Sequence, residues 1–239
     1  MKLSVVVPAF NEERLLPGTL AHIRTGLEAI ACPRSSSEII VCDNNSTDRT
    51  AELGRAAGAQ VVFEPVNQIA RARNAGARAA SGDWLLFVDA DSSPSPALFQ
   101  DMAQAIAGGG CVGGGATIEI PGARLDVRAW VGAWNALSRL ARWAAGSFIF
   151  CDAAAFRAVQ GFSQALYASE EIDFSRRLKR RFPERDFVIL HRHPLVTSGR
   201  KAELYSWREH AAFLLSMAAS GGRALRRRED CSIWYDGRR

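Results

Sequence analysis

The sequence predicts an α/β protein with a mostly parallel central sheet flanked by helices, and three observations carry that prediction. Apolar runs of strand length at residues 3–9, 38–42, 60–63 and 84–88 alternate with stretches of helical pattern. Strands joined through helices need crossover connections, which are right-handed and set the strands parallel. The runs are also continuously apolar instead of alternating, as in strands buried on both faces.

The elements follow in order. After the first run, Asn11-Glu12-Glu13-Arg14-Leu15-Leu16-Pro17 reads as a helix start, with Asn11 as N-cap and acids in the first turn. The second run ends at Asp43-Asn44-Asn45-Ser46-Thr47-Asp48, where Ser46 or Thr47 is placed to cap a helix continuing from Ala51. A helix over about residues 69–80 leads through Gly82-Asp83 into the run 84–88. Pro94-Ser95-Pro96 then opens a helix over 97–107, which Gly108-Gly109-Gly110 ends. Residues 111–120 read as a further strand at the sheet edge. In the segment 124–147, Trp130, Trp134, Leu137 and either Leu140 or Ala141 recur at helical spacing, with Arg128, Arg139 and Arg142 around them. Such a helix packs on the core or on a second subunit, or lies in a membrane interface. A short strand at 148–151 is followed by Asp152, and Ser169 then stands as N-cap to Glu170, Glu171 and Asp173 in the first turn of another helix. Residues 186–190 read as the last strand, 196–201 as a loop rich in donors, and 202–219 as a helix before a basic tail.

Composition narrows the class. With 48% apolar residues the chain can build a real core. Its five cysteines, Cys32, Cys42, Cys111, Cys151 and Cys231, are odd in number and show no Cys-X-X-Cys spacing, so neither a disulfide framework nor a zinc site is indicated. A reducing, cytoplasmic setting is expected. No signal-peptide pattern precedes the first strand, and no apolar stretch is long enough to span a bilayer. The net charge of +5 is unevenly spread: residues 1–175 carry 14 Lys and Arg against 18 Asp and Glu, residues 176–239 carry 16 against 7. A basic C-terminal part suits anionic lipid or phosphorylated substrates. No nucleic-acid motif accompanies it, so nucleic acid is not expected as a partner.

The run 84–88 ends on Asp89-Ala90-Asp91. In open α/β sheets ligands bind beyond the carboxyl ends of the strands, which sets both acids at the rim of a crevice. Two carboxylates one residue apart can share a hard divalent cation whose shell substrate phosphates complete. A solvated turn after a strand is the plain alternative.

Together Val5-Val6-Val7-Pro8-Ala9-Phe10-Asn11-Glu12-Glu13, Val41-Cys42-Asp43-Asn44-Asn45-Ser46-Thr47-Asp48, Ala72-Arg73-Asn74-Ala75-Gly76, Val88-Asp89-Ala90-Asp91 and Glu170-Glu171-Ile172-Asp173 resemble glycosyltransferase family 2, of the GT-A fold. The order and spacing agree over about 200 residues and fade after Lys201. The resemblance implies a single Rossmann-like GT-A domain, with a nucleotide-sugar-binding part (1–92), an acceptor and catalytic part (93–201) and a C-terminal helix and basic tail (202–239). It also implies inverting, Mn²⁺- or Mg²⁺-dependent transfer of a sugar from a UDP- or GDP-sugar to a glycan or lipid-linked acceptor, as in cell-envelope polysaccharide synthesis. Separately, the Trp-bearing segment from Trp130 to Trp143 and the basic C-terminus are expected to bring the protein to the inner face of an anionic membrane.

Carried over residue by residue, Pro8, Phe10 and Glu12 match the loop packing on the nucleoside, and Asp43 the acid pairing with base or ribose. Arg73, Asn74, Asp89 and Ala90 lie where the family contacts the donor, and Asp89 and Asp91 match its metal motif. Ser198, Arg200 and Lys201 lie in a stretch similar to a loop that closes over the diphosphate. Glu171 stands where the family has the Asp of a Glu-Asp pair acting as base. That pair is Glu-Glu here, one methylene longer, so Glu170, Glu171 and Asp173 all stay candidates, with Glu171 chosen by position. Gln160 replaces the first Gly of a common Gly-Gly-Phe turn, and the Gln-X-X-Arg-Trp motif of processive synthases is absent. Two other classes share the sheet. A sugar nucleotidyltransferase would carry a basic Gly-rich loop where this chain has Phe10-Asn11-Glu12-Glu13, and a non-catalytic binding module would have little use for Asp89, Asp91 and Glu171 together.

Overall fold

The computed structural model describes residues 1–30, 37–144, 146–198 and 223–231. Eight strands form one sheet: β1 (Leu3–Ala9), β2 (Ser37–Asp43), β3 (Gln60–Phe63), β4 (Trp84–Val88), β5 (Ser92–Ser93), β6 (Cys111–Glu119), β7 (Phe148–Asp152) and β8 (Asp186–Thr197). Their order is β3-β2-β1-β4-β7-β6-β8-β5. The pairs among β3, β2, β1 and β4 are parallel, as is β6–β8, whereas β7 runs antiparallel to both β4 and β6, and β5 to β8. Seven helices accompany them: α1 (Leu16–Ala29), α2 (Thr50–Ala56), α3 (Ile69–Ala79), α4 (Pro96–Ala107), α5 (Leu125–Ala141), α6 (Ala153–Ala158) and α7 (Glu170–Arg181).

The continuous apolar runs have the meaning expected of them. Side chains alternate across a strand, so Leu3, Val5 and Val7 of β1 and Leu86 and Val88 of β4 enter a core beneath α1 and α4. Val6, Leu85 and Phe87 enter a second core with Phe156, Phe162 and Phe174 on the other face. Both faces of the central strands are therefore covered. Gly82 lets the chain enter β4, because a Cβ there would stand 2.6 Å from Ser4 Oγ and 2.9 Å from the Lys2 carbonyl oxygen.

Several local expectations are corrected. β6 lies inside the sheet, between β7 and β8, and not at an edge. Its Gly113 and Gly114 make room for the neighbours, since added Cβ atoms would approach the Phe150 and Val188 carbonyl oxygens to 2.5 and 2.3 Å. β8 runs on to Thr197 instead of ending near Leu190. Its pairing with β6 jumps from Ala116↔Leu190 to Ile118↔Leu195, and that irregularity absorbs Pro194, which has no N–H for a regular ladder. Val196 and Thr197 then pair with β5, so they belong to the sheet and not to a loop. The expected helix over 202–219 falls outside the described residues.

The helix starts differ too, for a shared reason. Asn11 does not cap α1, which begins at Leu16; it takes a left-handed φ of 53° and its Oδ1 accepts from Thr47 N at 2.8 Å. Neither Ser46 nor Thr47 caps α2: Ser46 Oγ accepts from Asn11 N at 3.0 Å, and Asp48 Oδ1 accepts from Thr50 N at 2.9 Å. Asp48 Oδ2 also accepts from Glu13 N at 3.0 Å, and Thr50 Oγ1 from Glu12 N at 2.8 Å. The polar residues after β1 and β2 bind each other across the crevice, which fixes both loops at the carboxyl edge of the sheet.

Burial pushes the Asp48 carboxyl up, but hydrogen bonds from Thr50 and Glu13 outweigh it and hold it below the usual value. A lowered folded value adds stability above the unfolded value, and that stability is lost as pH falls through the folded one. Asp48→Ala should cost about 1–2 kcal/mol, the scale of a lost cap with one further bond. Urea unfolding near neutrality checks the cost; the gap to wild type should narrow in acid, where wild-type Asp48 is protonated.

Candidate active site

A cavity of about 160 Å³ opens at the carboxyl end of β4, lined in part by Arg73, Asp89, Gly146, Tyr167, Glu170 and Glu171. A water molecule takes about 30 Å³ of liquid and drug-sized ligands occupy about 300 Å³ or more. The cavity therefore suits the reacting end of a substrate and not a whole nucleotide.

Its floor is one guanidinium. Arg73 comes from α3, which buries its Ala70, Ala72, Arg73, Asn74 and Gly76, and only 2% of the arginine is exposed. Nη1 donates to Glu170 Oε1 at 2.8 Å, and Nη2 donates to Asp89 Oδ1 at 3.0 Å and to the Gly146 carbonyl at 2.6 Å. The charge also lies 5.3 Å from the centre of the Phe162 ring. A buried cation is tolerable only with such partners.

Glu170 and Glu171 begin α7, where the positive end of the helix dipole favours carboxylates. Ser169 holds the preceding position with a left-handed φ of 60°, but its side chain makes no capping bond, so it turns the backbone and does not cap. Burial raises both glutamates. Arg73 opposes the rise at Glu170. For Glu171 the adjacent Glu170 charge adds to burial, and its carboxyl is pushed up to about 8. Glu171 is half-buried and faces the cavity, and a Cβ on Gly146 would come within 3.5 Å of its Oε1. Asp173 does not line the cavity; its Oδ2 accepts from Arg177 Nε at 2.7 Å, one turn along the helix.

The donor-side residues sort as clearly. Pro8 and Ala9 of β1 pair with Cys42 and Asp43 of β2, which sets Phe10 and Glu12 beside Asp43 at the same sheet edge. Asp43 is buried and its Oδ1 accepts from Ser46 N at 3.0 Å. Asn74 is not brought to the cavity: its Nδ2 donates to the Phe162 carbonyl at 2.8 Å and its Oδ1 accepts from Phe162 N at 2.9 Å, so both ends of the amide are used by backbone. The Ala90 carbonyl accepts from Thr19 Oγ1 at 2.8 Å. Asp91 Oδ2 accepts from Ser198 Oγ at 2.7 Å and its carbonyl from Ser198 N at 3.1 Å, so the strand pairing of β5 with β8 carries Ser198 onto Asp91. Arg200 and Lys201 lie outside the described residues.

Asp89 and Asp91 offer oxygens of the kind that Mg²⁺ and Mn²⁺ prefer. Among the described residues no group of three or more His, Cys, Asp or Glu comes together. The pair fits an ion that arrives with a diphosphate and is completed by its oxygens, not a cage made by protein alone.

Sequence reasoning missed Gly146, Ser147 and Tyr167 of the lining. Only Gly146 left a signal, a glycine between a helix and a strand; a side chain there would press to 3.4 Å from Arg73 Nη2. Gln160, at the place of a common glycine, takes a left-handed φ of 61° beside Gly161 at 66°.

Residues 4–161 match the family described as Glycosyl transferase family 2. A glycosyltransferase of Mycobacterium tuberculosis (strain ATCC 25618 / H37Rv) is 42% identical over 91 residues, which are 38% of this chain and 37% of that protein. The fold is similar to that of a mannosyltransferase from Pyrobaculum calidifontis solved with GDP-Man and Mn²⁺, at a TM-score of 0.71 and 20% identity over 93% of this chain and 64% of that one. It is also similar to glucosyl-3-phosphoglycerate synthase from Mycobacterium tuberculosis solved with Mg²⁺ and UDP, at 0.61 and 22% over 90% and 78%. Among the described residues no helix is long and apolar enough to cross a membrane.

The raised Glu171 value has a signed effect on stability. Its carboxyl ordinarily titrates near 4.5 and is raised to about 8 in the fold, so its contribution is fully present below the lower value and lost as pH rises through the upper one. Wild-type Tm should fall across that window, whereas Glu171→Gln should change less and be the more stable at about pH 9. Parallel melting profiles for the two proteins would show that Glu171 does not titrate there.

Proposed function

The chain belongs to glycosyl transferase family 2, and from that membership we propose that it moves a sugar from a UDP- or GDP-sugar to an acceptor hydroxyl with inversion at the anomeric carbon. The observation that carries this reading is the placement of Glu171 on the wall of a small cavity whose floor joins Arg73 to Asp89. Asp89 comes from the donor side of the sheet and Glu171 from α7, so a sugar held between them meets both. Family membership favours transfer over the nucleotidyl chemistry that a related sheet also supports.

Asp43, Pro8, Phe10 and Glu12 would receive the nucleoside at the carboxyl edge of β1 and β2. A divalent cation held by Asp91 and the remaining oxygens of Asp89 would supply neutralisation of the charge that develops on the leaving diphosphate. Arg73 lines the cavity floor and fixes Asp89 and Glu170 from beneath. Glu171 would take the proton of the acceptor hydroxyl as its oxygen attacks the face opposite the diphosphate. Among the described residues no second carboxylate lines the cavity on the Glu171 side except Glu170, which is paired with Arg73. A single displacement follows, without a covalent sugar intermediate.

Measurements on the wild type and on three variants test this. Glu171→Gln keeps shape but cannot accept a proton, so transfer should drop about 10²- to 10⁴-fold with donor binding nearly intact. For wild type, the chemical step should speed up as pH rises through about 8, where Glu171 becomes ionised; a retained anomeric configuration in the product would falsify the mechanism. Asp91→Ala or EDTA should remove most activity, and full turnover after chelation sinks the metal assignment. Asp43→Ala should weaken nucleotide binding by about 1–3 kcal/mol, the scale for an unpaired buried polar partner, and equal affinity for every nucleotide diphosphate would take Asp43 out of the site.

A further inference from the structure

Four of the large apolar side chains exposed on the described surface stand on one helix. Leu125, Trp130, Leu137 and Leu140 of α5 are 80%, 56%, 45% and 86% exposed. The sequence pattern had grouped Trp130, Trp134 and Leu137 as one seam. The structure divides them: only Val131 and Ser138, two turns apart, are buried, and Trp134 is half-buried on their side. At about 100° per residue, Leu125, Ala129, Ala133, Ala136 and Leu140 run along the opposite, outward face, and Leu137 and Trp130 flank them. An apolar stripe turned to solvent over a whole helix calls for a covering surface.

The charge on the helix says which. Arg128 and Arg139 stand exposed along one edge of the stripe and make no ion pair among the described residues. Arg124 is paired with Asp126 at 2.9 Å and Arg142 with Asp186 at 2.6 Å. Asp126 is the one acid of the helix, and it is already matched. A second copy of the chain packed antiparallel on this face would bring the same uncompensated cations to the same edge, and in neither parallel nor antiparallel packing would it supply an unmatched acid from α5 to meet them. An anionic bilayer answers both the apolar stripe and the two arginines, with Trp130 at the headgroup level that indole favours.

The helix is also braced to the site. Lys179 Nζ of α7 donates to the Ala141 carbonyl at 2.6 Å, Ser175 Oγ accepts from Ala144 N at 3.2 Å, and the Arg176 guanidinium lies 4.5 Å over the Trp143 ring. From Ala141 the chain reaches Gly146, whose carbonyl binds Arg73, in five residues, at most about 18 Å. The C-terminal end of α5 is thus tied to the helix that carries Glu171.

We propose that the outward face of α5 docks the protein on an anionic membrane, with Leu125, Leu137, Leu140 and Trp130 in the interface and Arg128 and Arg139 on lipid phosphates. The acceptor is then one carried by that bilayer, which rests on the transferase reading above; the docking does not.

Flotation with vesicles of phosphatidylcholine alone and with 30% phosphatidylglycerol, about equal in size, is the test, with variants Leu137→Glu/Leu140→Glu and Arg128→Gln/Arg139→Gln. Wild type should float with the anionic vesicles at least about tenfold better than with neutral ones. The double glutamate variant should lose that binding about tenfold or more while keeping its Tm and its slow hydrolysis of donor, and the double glutamine variant should lose part of it. Flotation of the glutamate variant equal to wild type overturns the proposal, because the basic C-terminal part would then account for binding. So does a concentration-dependent dimer of wild type that the glutamate variant abolishes without any change in flotation. Absence of donor hydrolysis in wild type would tell against the transferase reading alone.

Discussion

One buried cation ties the site together. Arg73 reaches from α3 to the end of β4 through Asp89, to the entrance of β7 through Gly146, and to the start of α7 through Glu170. Among the described residues its buried Nε has no hydrogen-bond partner, so the fold accepts an unmade bond to keep the guanidinium there. Removing the arginine would leave the Glu170 and Asp89 carboxylates without their shared counter-charge, and breaking such a pair costs about 3–5 kcal/mol. Lysine is no substitute, because a point charge cannot form the fork that spans three segments.

The ionisation of the glutamates follows from that arrangement. Burial discourages ionisation of both glutamates; at Glu170 the Arg73 charge opposes that rise, whereas at Glu171 the neighbouring Glu170 adds to it. Two carboxylates with neighbouring backbones thus have different tasks, one fixed and one poised. The cavity adds the remaining condition, since it brings the Glu171 carboxyl to the wall of a space where a substrate hydroxyl can reach it.

The sheet could be read from the sequence because its strands are continuously apolar, and that pattern needs only local information. The caps could not, because Asn11, Ser46 and Asp48 bond across 35 or 36 residues of chain, and nothing in either loop alone says that its partner is the other loop. In α5 the helical spacing was legible but the buried side was not, since period alone does not tell which side of a helix faces the core. At the site, motif order gave the region of Glu170, Glu171 and Asp89. It did not tell that Arg73 would be sequestered beneath the cavity or that Asn74 would clamp Phe162, because both depend on what the folded chain places opposite them. Tyr167 carried no local signal at all.

Tyr167 also bears on how the protein can be cut. Its backbone N–H donates to the Leu225 carbonyl at 2.7 Å, and Ala224 and Cys231 are buried near that contact. The wall of the cavity is therefore held by residues far downstream of the last catalytic motif. A shortened chain designed to stop after Lys201, where the motifs end, would discard that support. Expression boundaries for this protein are set by the wall of its cavity and not by the reach of its family motifs.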